Sequence, residues 1–596
     1  MDGESMNIKL TEKLVNAIGM SFFKTFYINE DNFRWQKFIE INLRKFTLAE
    51  AKELLEECKK YMEIRGTSVV VKDIETWISA CERPGTQKVR KLEHFCDLLG
   101  EYILQVPGHR IFQKHDKDGN AWLCYYVESI EYHPARQGNY GDKPAYVEMT
   151  TMYDKFGSRK KNSSSFYDSD VRGRKIEEIL ANDGYYIETE EMRKKYLEEV
   201  RKYTEIIPQI GQQYTVCGIG TSDAPKSKDE DRYSYHSNSM IFVFENNVDK
   251  TNRVVIDTFT EDGSDPEREH QNINTWYWHD KQEQYERRKK AEKTEKETAD
   301  DKEVLKAEDL EEETPEIEIP THTFAVVFDL KRHVRLSAHV NYLTKYVYDK
   351  SLDSKLVLPK NIKHLIAMLV EHKSGNFKDI VAGKSGGAIV LLTGPPGVGK
   401  TLTAEVFAEA EEKPLYSIQA SQLGTDPDAL EKNLMKSLGR ASRWDAIMLI
   451  DEADVYVHER GNDLQQNAIV GVFLRVLEYH ASVLFLTTNR PDLVDDAIAS
   501  RCVARIDYPY PSKEEQEQIW KVLLELQNVT VTDEVIKQFV ETHSSTSGRD
   551  IKNILKLARL VSKEKHKAIE LQTLEYVRQF NPTVFREQKE KKTEVN

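Results

Sequence analysis

The feature that most constrains this 596-residue chain is one short run, Gly394-Pro395-Pro396-Gly397-Val398-Gly399-Lys400-Thr401, a complete G-x-x-x-x-G-K-T phosphate loop. The apolar stretch Ala388–Leu392 precedes it and a helix-like stretch from Leu402 to Ala410 follows, so strand, loop and helix are expected in the order the motif requires. Glycines in such a loop let successive backbone N–H groups curl around phosphate oxygens, and the start of the helix adds a partial positive charge. Residues 394–402, with Leu402 opening the helix, are therefore expected to hold the phosphates of a nucleotide. Lys400 is expected to reach the β- and γ-phosphates, and Thr401 to place its hydroxyl on Mg²⁺.

Two further strand ends supply the rest of a site. Ala446–Ile450 is a short apolar strand that stops at Asp451-Glu452. A carboxylate pair in that place suits a phosphoryl-transfer centre, with Asp451 in the outer shell of the magnesium ion and Glu452 polarising the attacking water. Ser482–Thr487 leads into Thr488-Asn489, where an amide can hold that water and sense the γ-phosphate, or else cap the turn before Pro491.

In this order GPPGVGKT, LIDEAD and TTNRPDLVDDAIASR resemble an AAA-type ATPase over roughly residues 350–580. The resemblance implies ATP as the nucleotide, a doubly wound parallel sheet with a helical lid, and sites shared between neighbouring subunits of a ring, a hexamer on the family pattern. It makes GPPGVGKT the Walker A motif and LIDEAD the Walker B motif. Asn489 matches the first sensor, Arg501 the arginine finger that enters the neighbour's site, and Arg549, in Ser547-Gly548-Arg549-Asp550, the second sensor. Such a finger makes physical sense because charge spreads over the γ-phosphoryl oxygens in the transition state, so its supply in trans ties turnover to assembly. Arg505 is the alternative finger. One departure concerns the loop after strand Leu415–Ile418, where many ring translocases carry an aromatic residue and this chain has Gln422. The runs LYSIQASQLGTDPDALEKNL and LQQNAIVGVFLRVLEY are most similar to a fungal-type branch of AAA proteins with a large N-terminal domain of unknown function, a part that KLEHFCDLLGEY and FDLKRH also resemble.

The rest of the chain has no comparable signal. Residues 1–105 read as a helical region and 106–280 as an α+β domain, with helices at Arg174–Leu180 and Glu190–Thr204. Residues 281–320 form a charged linker too poor in apolar side chains to fold alone, and 321–354 a connecting segment. The ATPase is expected to divide into a large α/β subdomain at 355–510 and a lid at 511–580, before a charged tail at 581–596. The fold class is thus α/β, a doubly wound parallel-sheet domain with a helical lid behind an α+β N-terminal region.

Net charge, −15, argues against wholesale nucleic-acid binding, which neutralises phosphates. No apolar run approaches the ~20 residues of a membrane helix, and six scattered cysteines without a C-x-x-C pair suggest a reduced, cytoplasmic setting. Asp116-Lys117-Asp118-Gly119-Asn120 is rejected as a calcium loop, since Gly stands at the wrong place, and is read as a hairpin turn. Gly218-Ile219-Gly220 reads as a polar loop, and Gly157–Lys161 as a basic surface loop. The cluster Thr275–His279 is either a packed edge or a partner-binding patch. The expected activity is ATP hydrolysis in a ring that remodels a protein client held by residues 1–280. An ATP-gated assembly switch and a nucleic-acid remodeler of the clamp-loader type are the alternatives.

Overall fold

The computed structural model describes residues 7–19, 22–23, 38–42, 48–64, 66–82, 88–114, 122–136, 143–223, 239–244, 252–259, 277–278, 281–282, 284–287, 318–371, 387–460, 463–478, 480, 482–527, 529–543, 545–561 and 569–580. The charged tail, most of the charged linker and the tip expected at Asp118-Gly119 lie outside them.

At the N-terminal end β1 (Asn7–Thr11) pairs antiparallel with β2 (Phe38–Asn42) beside the helices Leu48–Lys59 and Thr67–Glu82, so this region mixes a strand pair with its helices. A five-stranded antiparallel sheet follows. It consists of β3 (Arg110–Lys114), β4 (Trp122–His133), β5 (Tyr146–Lys155), β6 (Ser158–Tyr167) and β7 (Tyr185–Ile187), in the order β6-β5-β4-β3-β7. Alternate residues of β4 feed two cores: Trp122 and Cys124 pack with Leu54 and Trp77, whereas Leu123 and Tyr125 pack with Phe95 and Leu99. The basic run at 157–161 is the turn and first residues of the β5–β6 hairpin, where Phe156 and Gly157 take positive φ.

A second, seven-stranded antiparallel sheet crosses the boundaries expected from sequence. Its strands are β8 (Gln213–Val216), β9 (Gly218–Asp223), β10 (Ser239–Phe244), β11 (Arg253–Ile256), β12 (Phe324–Asp329), β13 (Val334–His339) and β14 (Leu343–Lys345), ordered β10-β9-β13-β12-β11-β8-β14. Because Ile256 pairs with Val327, the segment expected as a connector at 321–354 is the other half of this sheet, and the charged stretch is an insertion within it. The Gly218–Gly220 run is strand, not polar loop: Gly218 lies under the Tyr342 ring and Gly220 under Phe244. One face of the sheet, with Val254, Ile256 and Val327, packs with Tyr203 and Ile206 of the helix Glu190–Ile206.

The third sheet carries the phosphate loop. It contains β15 (Ala388–Thr393), β16 (Leu415–Gln419), β17 (Ile447–Asp451), β18 (Val483–Thr488) and β19 (Ala504–Asp507), ordered β16-β17-β18-β15-β19 and parallel throughout. Its three central strands, β17, β18 and β15, are apolar without a polar face because both sides are covered. Ile389, Leu391, Met448 and Leu484 face one core; Val390, Leu392, Leu449 and Phe485 face the other. The helices Pro427–Arg443 and Leu464–Leu477 cover the first face, and Lys400–Ala410 with Lys360–Glu371 cover the second. Four helices, Lys513–Gln527, Asp533–Thr542, Gly548–Val561 and Leu571–Arg578, form a lid with its own core around Trp520, Phe539 and Leu555.

The seven-stranded sheet is seated on the parallel one. Val255 and Phe328, from its second face, belong to the same buried cluster as Ile389, Tyr416 and Trp444. Phe328 meets Trp444 at 5.1 Å between ring centres, the Arg440 guanidinium lies 4.4 Å from the Phe328 ring centre, and His333 in the β12–β13 turn meets Tyr416 at 5.6 Å. Gly211, at φ +84°, approaches the Trp444 backbone so closely that a Cβ would stand 2.7 Å from its Cα. Among the described residues no helix is long and apolar enough to cross a membrane.

Candidate functional site

The site is built where β15, β17 and β18 end side by side, at the carboxyl edge of the parallel sheet. The chain leaves β15 through Gly394, Gly397 and Gly399, all at positive φ, and enters the helix Lys400–Ala410. Two of these positions exclude any side chain. A Cβ on Gly394 would strike the Tyr508 carbonyl, and one on Gly397 would lie 2.8 Å from Arg549 Cβ. Val398 packs into the adjoining core, Pro396 is exposed, and Leu402 is exposed on the first helical turn.

Lys400 is buried and donates to the carbonyls of Gly394 and Pro395, both at 2.7 Å, and to Asn489 Oδ1 at 2.9 Å. Burial pulls its ammonium down to about 8, against the opposing attraction of Asp451 and Asp454. Thr401 Oγ1 lies 3.1 and 3.2 Å from the two Asp451 carboxylate oxygens, so a hydroxyl and a carboxylate converge as a hard-cation donor pair. That arrangement fits magnesium. Glu452, exposed at the end of β17, has φ +55°, a left-handed conformation worth on the order of 1–3 kcal/mol of strain for a non-glycine residue. Its backbone N–H donates to Thr487 Oγ1 at 3.0 Å, and Thr487 in turn donates to Asp451.

Lys400, Thr401, Asp451, Glu452, Asn489 and Arg549 are thus brought together. Arg549 opens the lid helix Gly548–Val561, and its N–H donates to the Gly397 carbonyl at 3.2 Å, tying lid to loop. Ser547 and Asp550 cap that helix reciprocally, at 3.1 and 3.2 Å. Arg501 is not part of the cluster. It ends the helix Asp496–Arg501, pairs with Glu478, and donates to the Ala497 carbonyl at 3.2 Å. Arg505 donates to Asp507 Oδ1 at 3.0 Å.

Several participants carry no signal in sequence. Thr487 donates to the Asp451 carboxylate and accepts the Glu452 backbone N–H, and Asp454 accepts from Thr488 and from the Asn489 backbone N–H at 3.1 Å, fixing the residue whose side-chain amide meets Lys400. Arg460 donates at 2.9 Å to buried Asp495, the cap of the Arg501 helix. The position of Thr487 and Asp454 beside Asp451 and Asn489 in sequence was the only available clue. The aromatic cluster, by contrast, is a packed edge where it is described. Trp278 donates to the Val127 carbonyl at 2.7 Å and stacks on His109, and Tyr277 both donates to and accepts from the Ile130 backbone, next to the bulge of β4.

The family model for the ATPase family associated with various cellular activities (AAA) matches residues 390–510, the span that holds all three strand-end motifs. The chain contains an AAA ATPase domain. The AAA match agrees with the parallel order of β15 to β19. Human Fidgetin-like protein 1 is 29% identical over 181 residues, covering 29% of this chain and 27% of that protein. The ATP-dependent zinc metalloprotease FtsH of Marinobacter nauticus is 31% identical over 187 residues, 29% of each chain. The mitochondrial sorting homolog of Caenorhabditis elegans is 29% identical over 180 residues, 29% of this chain and 52% of that one. The chain therefore spans less than a third of the first two relatives.

Proposed function

We propose that this chain is a Mg²⁺-dependent ATPase that assembles into a homo-oligomeric ring, a hexamer on the family pattern, and uses hydrolysis to remodel a protein client held by residues 1–280 in the cytoplasm. The observation that carries the reading is the meeting of Lys400 with Asn489, and of Thr401 with Asp451, at the ends of three adjacent parallel strands. The ATP-dependent relative FtsH supports ATP as the nucleotide.

In this mechanism residues 394–402 hold the triphosphate through backbone N–H groups and the Lys400 ammonium. Thr401 and Asp451 would hold the magnesium ion, which when bound neutralises charge on the phosphate oxygens. Glu452, displaced from regular strand geometry by its positive φ, aims its carboxylate at the attacking water. Asn489 exchanges its contact with Lys400 for the γ-phosphate, and Arg549 carries the change into the lid. Arg501 leaves Glu478 to stabilise the charge developing in the neighbouring subunit's site.

One observation favours the second reading, an ATP-gated assembly switch. Gln422, where a threading loop would carry an aromatic, turns back so that its Oε1 accepts the Gln419 N–H at 3.0 Å, capping its own short helix. Steady-state ATPase activity against protein concentration separates the two. Specific activity should rise with concentration, fall at least ~100-fold in Glu452→Gln with ATP binding kept, and fall comparably in Arg501→Ala. Binding without turnover in the unaltered chain establishes the switch, and undiminished turnover in Arg501→Ala removes that residue from the finger role. Stimulation by DNA or RNA that salt abolishes would instead favour a nucleic-acid remodeler.

A further inference from the structure

The helix that begins at Lys400 ends on a side chain whose partners all come from outside the parallel-sheet fold. Glu409 is buried in the last turn. Its Oε1 accepts from Arg253 Nη1 at 3.0 Å and from the Tyr346 hydroxyl at 2.7 Å, and its Oε2 accepts from the Asp349 backbone N–H at 2.9 Å. Arg253 opens β11, and Tyr346 and Asp349 follow β14, so these donors belong to the seven-stranded sheet and the segment leaving it. The Arg253 guanidinium also lies 5.4 Å from the Tyr346 ring centre, which holds two of the three donors together.

Locally this is the wrong residue in the wrong place. A carboxylate in the last helical turn faces the negative end of the helix dipole, and Glu411 and Glu412 follow just beyond Ala410. Only donors far away in sequence offset that cost, and a helix end that depends on distant residues is a marker of a functional constraint. The other end of the same helix sets the Lys400 ammonium, whose three hydrogen bonds at 2.7–2.9 Å tolerate shifts of only a few tenths of an ångström. An α-helix transmits tilt along its length, and about 14 Å of helix at ~1.5 Å per residue separates the two side chains.

We infer that Glu409 is a positioning residue for the nucleotide loop: by anchoring the far end of the Lys400–Ala410 helix to Arg253, Tyr346 and Asp349, it makes ATP affinity depend on the seven-stranded sheet. The inference rests on the reading of residues 394–402 as the ATP site. By linkage, ATP binding must tighten the same anchor, so a client pulling on the sheet loosens ATP and a bound ATP stiffens the sheet.

The test uses the full chain, with ATP binding by calorimetry and steady-state kinetics for Glu409→Gln, Arg253→Met and the two combined. Each single change should raise Kd and KM for ATP about tenfold with kcat within about twofold, and the double variant should be no weaker than the weaker single, as expected of two residues acting through one contact. Arg253→Lys, which keeps the charge, should recover most of the affinity. An unchanged Kd in Glu409→Gln, a loss of kcat and thermal stability at constant KM, or effects that multiply in the double variant would each overturn the positioning role. Should Glu409→Gln fail to fold, Tyr346→Phe keeps the ring and deletes one donor, and it must still weaken ATP about threefold. Lys400→Ala is the separate check on the site: if it binds ATP as tightly as the unaltered chain, the nucleotide reading fails whatever Glu409 does.

Discussion

The parallel sheet and the seven-stranded antiparallel sheet are pressed into one buried cluster, yet they are assembled by opposite rules. In the parallel sheet the chain steps from strand to helix to strand, and three strand ends deliver the chemical groups: the loop after β15, Asp451 and Glu452 at the end of β17, and Asn489 after β18. In the antiparallel sheet β11 and β12 are neighbours although the whole charged stretch lies between them. The first sheet therefore places chemistry, and the second supplies Arg253, Val255 and Phe328 as a backing against which that chemistry is held. The geometry of the candidate site is a property of both.

The largest test of that unity is Trp444→Ala. Removing a side chain that touches Phe328 and Tyr416 should cost about 3–5 kcal/mol, read from urea unfolding. Loss of a single cooperative transition to two well-separated ones in the unaltered chain, one per sheet, would break the comparison. Next is pH. Burial pulls His480, in the segment leading into β18, down to about 4, so the unfolded chain takes up its proton first, near pH 6.5. Its contribution should be complete above about pH 6.5 and disappear as pH falls toward 4, up to about 3 kcal/mol, and His480→Gln should flatten that slope in a pH series of unfolding curves. Gly211→Ala sharpens the contact between the sheets. Its Cβ would meet the Trp444 backbone, so roughly 2–3 kcal/mol of destabilisation is expected in the same denaturation assay, with the antiparallel pairing itself untouched. Smallest is Thr487→Val, which leaves Asp451 and the Glu452 N–H without their shared hydroxyl. A roughly tenfold fall in kcat, about 1.4 kcal/mol, should appear in ATPase assays with little change in stability.

How much of this was legible depends on whether information was local. Four of the five parallel strands are apolar runs bounded by turn residues, readable to within a residue or so, whereas β19 carries exposed Arg505 and Asp507 and no such run. Ser158–Tyr167 escaped notice because it is an edge strand with a polar, half-exposed run and no alternation to betray it. The antiparallel sheet was split between an α+β domain and a connector, on either side of the linker, because pairing of Ile256 with Val327 leaves no trace in either segment alone. At the site, Lys400, Thr401, Asp451 and Asn489 follow from motif and spacing. The positive φ of Glu452, the Asp454 bond to Asn489 and the Arg460 bond to Asp495 do not, since each is a geometric relation that no residue type announces. Glu409 is the extreme case: its identity argues against its position until Arg253 is brought beside it.

The adjacency of β11 and β12 also changes what the charged stretch is. A segment whose two ends are fixed on paired strands is topologically a loop, and the entropy of closing a loop grows only with the logarithm of its length. Its contour can be lengthened, shortened or interrupted while the ends stay one strand apart. A polypeptide severed there would leave two fragments still zipped together by β11 against β12 and by Arg253 against Glu409, so the molecule has a built-in seam where it could be expressed as two chains and reassembled.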